Sequence, residues 1–272
     1  MARERILIAV KTYPSLSITY AELVCTAGFR EHGGWVRIYP SPFRFLEKDQ
    51  QYSKYHWIEL ELEKNPRDPR PESFRPRDID AITVHEKVGT ERAWDERRKL
   101  ILNRNPIHTN LKMIIQASRS NEYSLAIFKP TQILDVIVKP VARDWELSRK
   151  AAAEASLKQG SLFDDTDRSD FELVRKIPYK FSYRFTDDTG KESTLMIEDW
   201  EIGALYWRYA DSQGEEVAVA KVRQKYLDDF ARTKDLYLFL GTVYTSHVRK
   251  LSNPYVIVGT FHPPKVTQPG LF

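Results

Sequence analysis

Phe29-Arg30-Glu31-His32-Gly33-Gly34-Trp35-Val36-Arg37-Ile38-Tyr39 is the stretch on which the fold turns. Two apolar-rich runs, 21–30 and 35–40, flank the tetrapeptide Glu31-His32-Gly33-Gly34. Paired glycines supply positive φ for a tight connection, so the runs read as adjacent antiparallel strands. Side chains alternate along a strand. Val36 and Ile38 therefore share one face, and Trp35, Arg37 and Tyr39 the other. A four-residue loop pairs Arg30 with Trp35. That register sets Gly28 opposite Arg37 and Thr26 opposite Tyr39, and leaves Cys25, Ala27 and Phe29 on the Val36/Ile38 face. One face is then apolar and turned inward. The other carries two aromatics, two arginines and two small residues, a shallow groove on which bases can stack at ~1–3 kcal/mol each. The competing reading is a second core layer, in which a covering element buries Trp35 and Tyr39.

The same punctuation recurs outward from this hairpin. Residues 5–10, Ile6-Leu7-Ile8-Ala9-Val10 among them, read as a buried strand, and 55–64 as an alternating one. In 65–77, four prolines are interleaved with Arg67, Arg70, Arg75 and Arg77. Proline at that density argues against a helix or a central strand, and the arginines, with Arg44, are candidate phosphate contacts. Thr90 and Thr109 read as caps of two short helices. Residues 123–128, 133–138, 179–185, 194–197, 236–243 and 255–261 read as strands, and 202–209 as a short helix. In 215–232, Val219, Val222, Tyr226 and Phe230 recur at helical spacing. Strands in hairpin-like pairs with helices inserted between them predict an α+β fold, mostly antiparallel and strand-rich, in two lobes. The lobes are residues 1–144 and 173–272. They are joined by 145–172, a helix rich in Ala, Glu, Lys and Arg followed by an acidic stretch.

Composition excludes several function classes. There is no run of about 20 apolar residues for a spanning helix, and no signal-peptide core, so the expected place is the cytoplasm, away from membranes. Cys25 is the only cysteine, which rules out an internal disulfide or a cysteine-built zinc site. None of the 11 glycines falls in a phosphate-binding loop pattern, and the six histidines are scattered, so no cofactor or metal is expected. Net charge is +4, which permits nucleic-acid binding without indicating it. Glu59, Glu61 and Glu63 share one strand face and read as solvated. Glu198 and Asp199, at a strand end, are the candidate catalytic acids, although such residues also start helices.

Gln159-Gly160-Ser161-Leu162-Phe163 and Gln268-Pro269-Gly270-Leu271-Phe272 share the pattern Gln-x-x-Leu-Phe. The pattern resembles the pentapeptide with which bacterial polymerases and repair proteins dock on the sliding clamp. The resemblance implies a rim hydrogen bond from Gln159 or Gln268, and insertion of the Leu162-Phe163 or Leu271-Phe272 pair into an apolar pocket. Gly160 and Pro269 depart from the family, where Leu is common. Taken whole, the chain faintly resembles uncharacterised bacterial proteins encoded among genome-defence and DNA-modification genes, a likeness carried by no defined motif. These readings together predict a protein that binds DNA or RNA in bacterial DNA metabolism or defence, held to the clamp. The alternatives are a nuclease or base-modifying enzyme using Glu198 and Asp199, and a scaffold for protein partners.

Overall fold

The computed structural model describes residues 3–158 in full, the backbone of 159–163, and residues 171–266. It contains 29% helix and 34% strand in several mostly antiparallel sheets, the α+β organisation expected. The first sheet has seven strands, in the order Leu62–Lys64, Ser73–Pro76, Trp35–Ile38, Thr26–Arg30, Glu4–Lys11, His56–Leu60, Thr83–Lys87. His56–Leu60 and Leu62–Lys64 are separated by Glu61 alone yet lie toward opposite edges, so the sheet must curl on itself. Inside the curl sit Ile6, Ile8, Val36, Ile38, Ile58, Leu60 and Leu62.

The middle layer is a four-stranded sheet of Ile107–His108, Leu125–Phe128, Tyr237–Thr242 and Tyr255–Phe261. Its side chains divide with the period of two that a strand imposes. Leu125, Ile127, Phe239, Val258 and Phe261 face the curled sheet and meet Leu7, Ala9, Val10, Ala27 and Phe29. Ala126, Phe128, Leu238, Leu240 and Ile257 face the opposite way. There they meet a three-stranded sheet of Gln132–Pro140, Tyr179–Thr186 and Glu192–Met196, together with the helices Leu111–Arg119, Trp200–Gln213 and Glu215–Arg223. The last of these continues through a wider turn, Gln224–Ala231, which buries Tyr226 and Phe230. The helix Leu147–Phe163 packs on a small hairpin, Ser15–Ser17 with Ala21–Leu23.

Several expectations are corrected. The expected strand 21–30 is two strands, and 55–64 breaks at Glu61. The proline-rich loop holds a strand after all. Ser73–Pro76 lies inside the sheet, parallel to Trp35–Ile38 and antiparallel to Leu62–Lys64, because its single proline is its last residue. The cap of the second helix is Asn110, whose side chain accepts from Met113 N, while Thr109 bonds Asp188. Leu125–Phe128 pairs with Tyr237–Thr242, and Gln132–Pro140 with Tyr179–Thr186. The expected acidic stretch 160–170 is helical in backbone as far as Phe163, and 164–170 lies outside the described residues.

Gly33 must be glycine on two counts. Its φ is +91°, and a Cβ there would overlap the Arg104 carbonyl oxygen. With Gly34, also at positive φ, it closes the first hairpin by pairing Phe29 with Trp35, Gly28 with Val36, Ala27 with Arg37 and Thr26 with Ile38. That is one residue away from the expected register. A one-residue shift moves the partner strand's whole apolar set to the other face. Ala27 and Phe29 therefore join Trp35 and Arg37, not Val36 and Ile38.

Candidate functional site

The consequences of that register run along one strand. Trp35 lies against Phe29 with centroids 3.9 Å apart and planes tilted by 38°, and meets Phe239 edge-on at 5.3 Å. It is half-buried and packs against the core between two sheets. Two residues on, Arg37 is 2% exposed, and its Nη1 donates to Ser124 Oγ at 2.8 Å and Ser73 Oγ at 3.1 Å. Two residues further, Tyr39 is 38% exposed. The curled sheet and the middle sheet are closed over Trp35 and part beyond Arg37.

The parting leaves a cleft of about 1280 Å³. Its inner wall is apolar: Val10, Ala27, Leu125, Val256, Val258, Phe181 and Ile197. Cys25, Arg37, Glu198 and Thr242 set polar groups among them. Tyr20, Tyr39 and Tyr244 border it, exposed by 44%, 38% and 45%. The lining includes eight cationic side chains, Arg37, Arg67, Arg70, Arg75, Arg77, Arg149, Lys176 and Lys180, against three carboxylates, Glu63, Asp68 and Glu198. That excess exceeds the +4 of the whole chain, so the protein's positive charge is concentrated here.

The cations differ in what they are free to do. Arg70 is buried; it grips Asp68 through Nε and Nη2 and donates from Nη1 to the Thr242 carbonyl at 2.6 Å. It is a structural clamp on the loop, which corrects its reading as a phosphate contact. Arg75 and Arg77 are exposed and pair with Glu63 and Glu61 across the strand, pairs worth at most ~1 kcal/mol at a surface and open to exchange for phosphate. The side chains of Arg67 and Lys180 are exposed. Arg44 lies away from the cleft, held in a double hydrogen bond to Glu22 and over the Phe171 ring.

The two candidate acids separate. Glu198 lines the cleft, and burial pushes its carboxyl above the usual range, with Lys180 partly opposing. Asp199, fully buried, caps the helix Trp200–Gln213 by accepting from Glu201 N and takes a 2.7 Å bond from Lys54 Nζ. Lys54 also reaches Glu201 at 2.9 Å, and the two carboxylates hold its ammonium charged against the pull of burial. Nearby, Lys11 Nζ lies 3.4 Å from the Phe43 ring centre and 4.6 Å from that of Trp200. Burial, and then the Lys54 charge, lower its pKa to about 7. Among the described residues no group of three or more His, Cys, Asp or Glu is placed to hold a metal ion. No helix among them is long and apolar enough to cross a membrane. The side chains of Gln159, Leu162 and Phe163, and the whole of Gln268, Leu271 and Phe272, lie outside the described residues.

Residues 2–103 match the family described as Domain of unknown function (DUF8758). Residues 106–272, more than half of the chain, match Domain of unknown function (DUF8757). The chain belongs to the DUF8757 family. No curated protein matches it. One solved structure, "Structure of murine DNA binding protein bound with ds DNA", aligns over 100% of both chains at 10% identity with a TM-score of 0.32, too low to carry an argument. The cleft lies across both matched regions. The DUF8758 region brings Tyr39, Arg67, Arg75 and Arg77; the DUF8757 region brings Arg149, Lys176, Lys180, Glu198, Thr242 and Tyr244.

Of the residues singled out from the sequence, the cleft therefore gathers Arg37, Tyr39, Arg67, Arg70, Arg75, Arg77 and Glu198, and leaves out Trp35, Arg44 and Asp199. Sequence reasoning missed Tyr20, Tyr244, Arg149, Lys176, Lys180 and Thr242. Nothing local marks them: Arg149 and Tyr244 sit on helices, Lys180 and Thr242 on strands, and Tyr20 and Lys176 between elements, and only the tertiary arrangement brings them to one opening.

Proposed function

We propose that the cleft binds a single strand of DNA or RNA, with phosphates on its cationic border and bases against its tyrosines and apolar wall. The observation that carries this reading is the concentration of cations and exposed tyrosines around one opening in an otherwise nearly neutral chain. Phosphates supply sequence-independent affinity through counterion release, and exposed aromatic rings add stacking that a paired duplex would not offer. The finer reading places this activity in bacterial DNA metabolism or genome defence, with the Gln-x-x-Leu-Phe peptide ending at Phe272 as a tether to the sliding clamp and the one ending at Phe163 as a weaker contact. Its support is the sequence pattern alone.

The test is a salt series of fluorescence anisotropy with a 12-nucleotide strand, comparing the intact protein with Arg67→Gln, Arg75→Gln, Arg77→Gln and Lys180→Gln combined. Each lost phosphate contact lowers the slope of log K against log salt by ~0.7 for single strands, so the combined variant should lose about 2–3. An unchanged slope would sink the reading. A nuclease or base-modifying activity is the second reading, favoured by Glu198 alone, whose raised carboxyl faces the same space. Loss of turnover in Glu198→Gln with strand affinity retained would support it.

A further inference from the structure

Glu198 differs from the other carboxylates of the cleft in having nothing bound to it. Asp68 is held by Arg70, and Glu63 by Arg75. Among the described residues the Glu198 carboxyl has no hydrogen bond and no ion pair, and Lys180 acts on it only from a distance. Its backbone is fixed on both sides, N donating to Ile257 O and O accepting from Tyr13 N. The strand sets the direction of the side chain. Ser182 pairs with Met196, and Ile197 N donates to Phe181 O, so the register carried onward sets Lys180 opposite Glu198. By alternation Lys180, Met196 and Glu198 share the face opposite to Tyr183 and Leu195, which are buried in the outer core. All three line the cleft, and Glu198 is half-buried, recessed yet within reach of a ligand there.

An ionised carboxylate only accepts hydrogen bonds, and it accepts best from two parallel N–H groups. Burial without donors disfavours its charge, so a ligand that brings such a pair gains most at this position. A guanidinium or ammonium ligand would meet the surplus of cations around the opening. The class that remains is a neutral group with two adjacent donors, attached to an anion that stays at the cationic border. Among the bases only guanine fits. Its N1–H and 2-amino group lie side by side on the Watson–Crick edge, whereas cytosine and adenine set a donor beside an acceptor, and thymine and uracil a donor between two acceptors. We propose that Glu198 reads a guanine of the bound strand through these two N–H groups, with the neighbouring phosphate on Lys180. This rests on the strand-binding reading above and adds to it which base the cleft selects.

The experiment uses the full chain and 12-nucleotide thymidine strands with one central guanine, hypoxanthine, adenine or cytosine, beside an all-thymidine strand of the same phosphate count. Affinity is measured across a salt series for the unaltered protein and for Glu198→Gln. Hypoxanthine keeps N1–H and lacks the 2-amino group. The guanine strand should bind at least about ten-fold more tightly than the thymidine strand, the worth of hydrogen bonds to a charged acceptor. The hypoxanthine strand should fall between them, and adenine and cytosine should give no advantage. Glu198→Gln keeps the shape, removes an unpaired charge and sets an amide N–H against the guanine donors. The ratio of guanine to thymidine affinity should then fall to near unity. Equal affinity for every central base overturns the inference, as does a preference for adenine or cytosine, which a protonated carboxyl would give, or a guanine preference that survives in Glu198→Gln. In each of those cases salt-dependent binding leaves the proposed function standing. If no strand binds in a salt-dependent way, both are overturned.

Discussion

Replacing Lys54 by Met tests whether Asp199 is a structural joint or a reactive acid. Asp199 is fully buried and its carboxyl has been raised to about 6 by burial, even with Lys54 at 2.7 Å. The pair joins the two halves of the molecule: Lys54 precedes a strand of the curled sheet, and Asp199 starts a helix of the outer layer. Removing the ammonium leaves a buried carboxylate with only Glu201 N to stabilise it, and breaking such a pair costs about 3–5 kcal/mol. Glu201 adds little, since its side chain is 50% exposed and water can replace the lost partner. The sign of the pH dependence follows from linkage. A carboxyl raised in the folded state favours folding at low pH and loses that contribution as pH rises through its folded pKa. Without Lys54 the folded pKa climbs further. The variant's deficit should therefore be small at pH 5, where Asp199 is largely protonated, and reach its full value at pH 8. Urea denaturation at the two pH values measures it. A deficit below about 1 kcal/mol at pH 8, or one equal at both pH values, would refute the reasoning.

Trp35→Ala should destabilise the fold by about 3–5 kcal/mol in urea denaturation, because its ring is packed between Phe29 and Phe239; a loss under 1 kcal/mol would return Trp35 to the surface. His262, stacked on Phe230 at 3.6 Å, has its pKa lowered to about 4 by burial, so stability should fall by about 2–3 kcal/mol as pH drops from 7 to 4.5. His262→Phe keeps the stack and should flatten that part of the profile; an unchanged slope would place the titration elsewhere. Asn110→Ala should cost about 1 kcal/mol by removing the helix cap, read as a lower urea midpoint, whereas Thr109→Ala tests the separate bond to Asp188. A chain ending at Thr267 should lose calorimetrically measured affinity for a purified sliding clamp, and equal binding by both forms would remove the tether.

Elements with a strong local period were legible: the first strand, the Tyr179–Thr186 and Glu192–Met196 hairpin, and the Val222/Tyr226/Phe230 face each follow from spacing alone. The first hairpin was legible as a hairpin but not in register. Both glycines take positive φ, and the connection runs from Arg30 to Gly34, one residue longer than a four-residue loop. That single residue converts a supposed stacking face into the core beneath the middle sheet. Ser73–Pro76 was hidden because proline-rich context masks four residues whose only proline is terminal. The cleft was half legible: the arginines of 65–77 stood out by density, while Arg149, Lys180 and Thr242 reach it only through the tertiary arrangement of the sheets.

The packing of the final described strand over the first bears on how the chain is made. Gly259 lies against Ala9 and Val10, and Phe239, Val258 and Phe261 complete the cluster that begins with Leu7. During synthesis the segment up to residue 103 leaves the ribosome with that face of its curled sheet uncovered, and the strand that covers it follows only after the rest of the middle layer. At translation rates of ~5–20 residues per second the wait is many seconds, long enough for exposed apolar surface to attract chaperones or self-associate. The two matched regions, 2–103 and 106–272, each enclose a core of their own, yet the face of the curled sheet that carries Leu7, Ala9 and Phe29 is sheltered from water only once the second has been made.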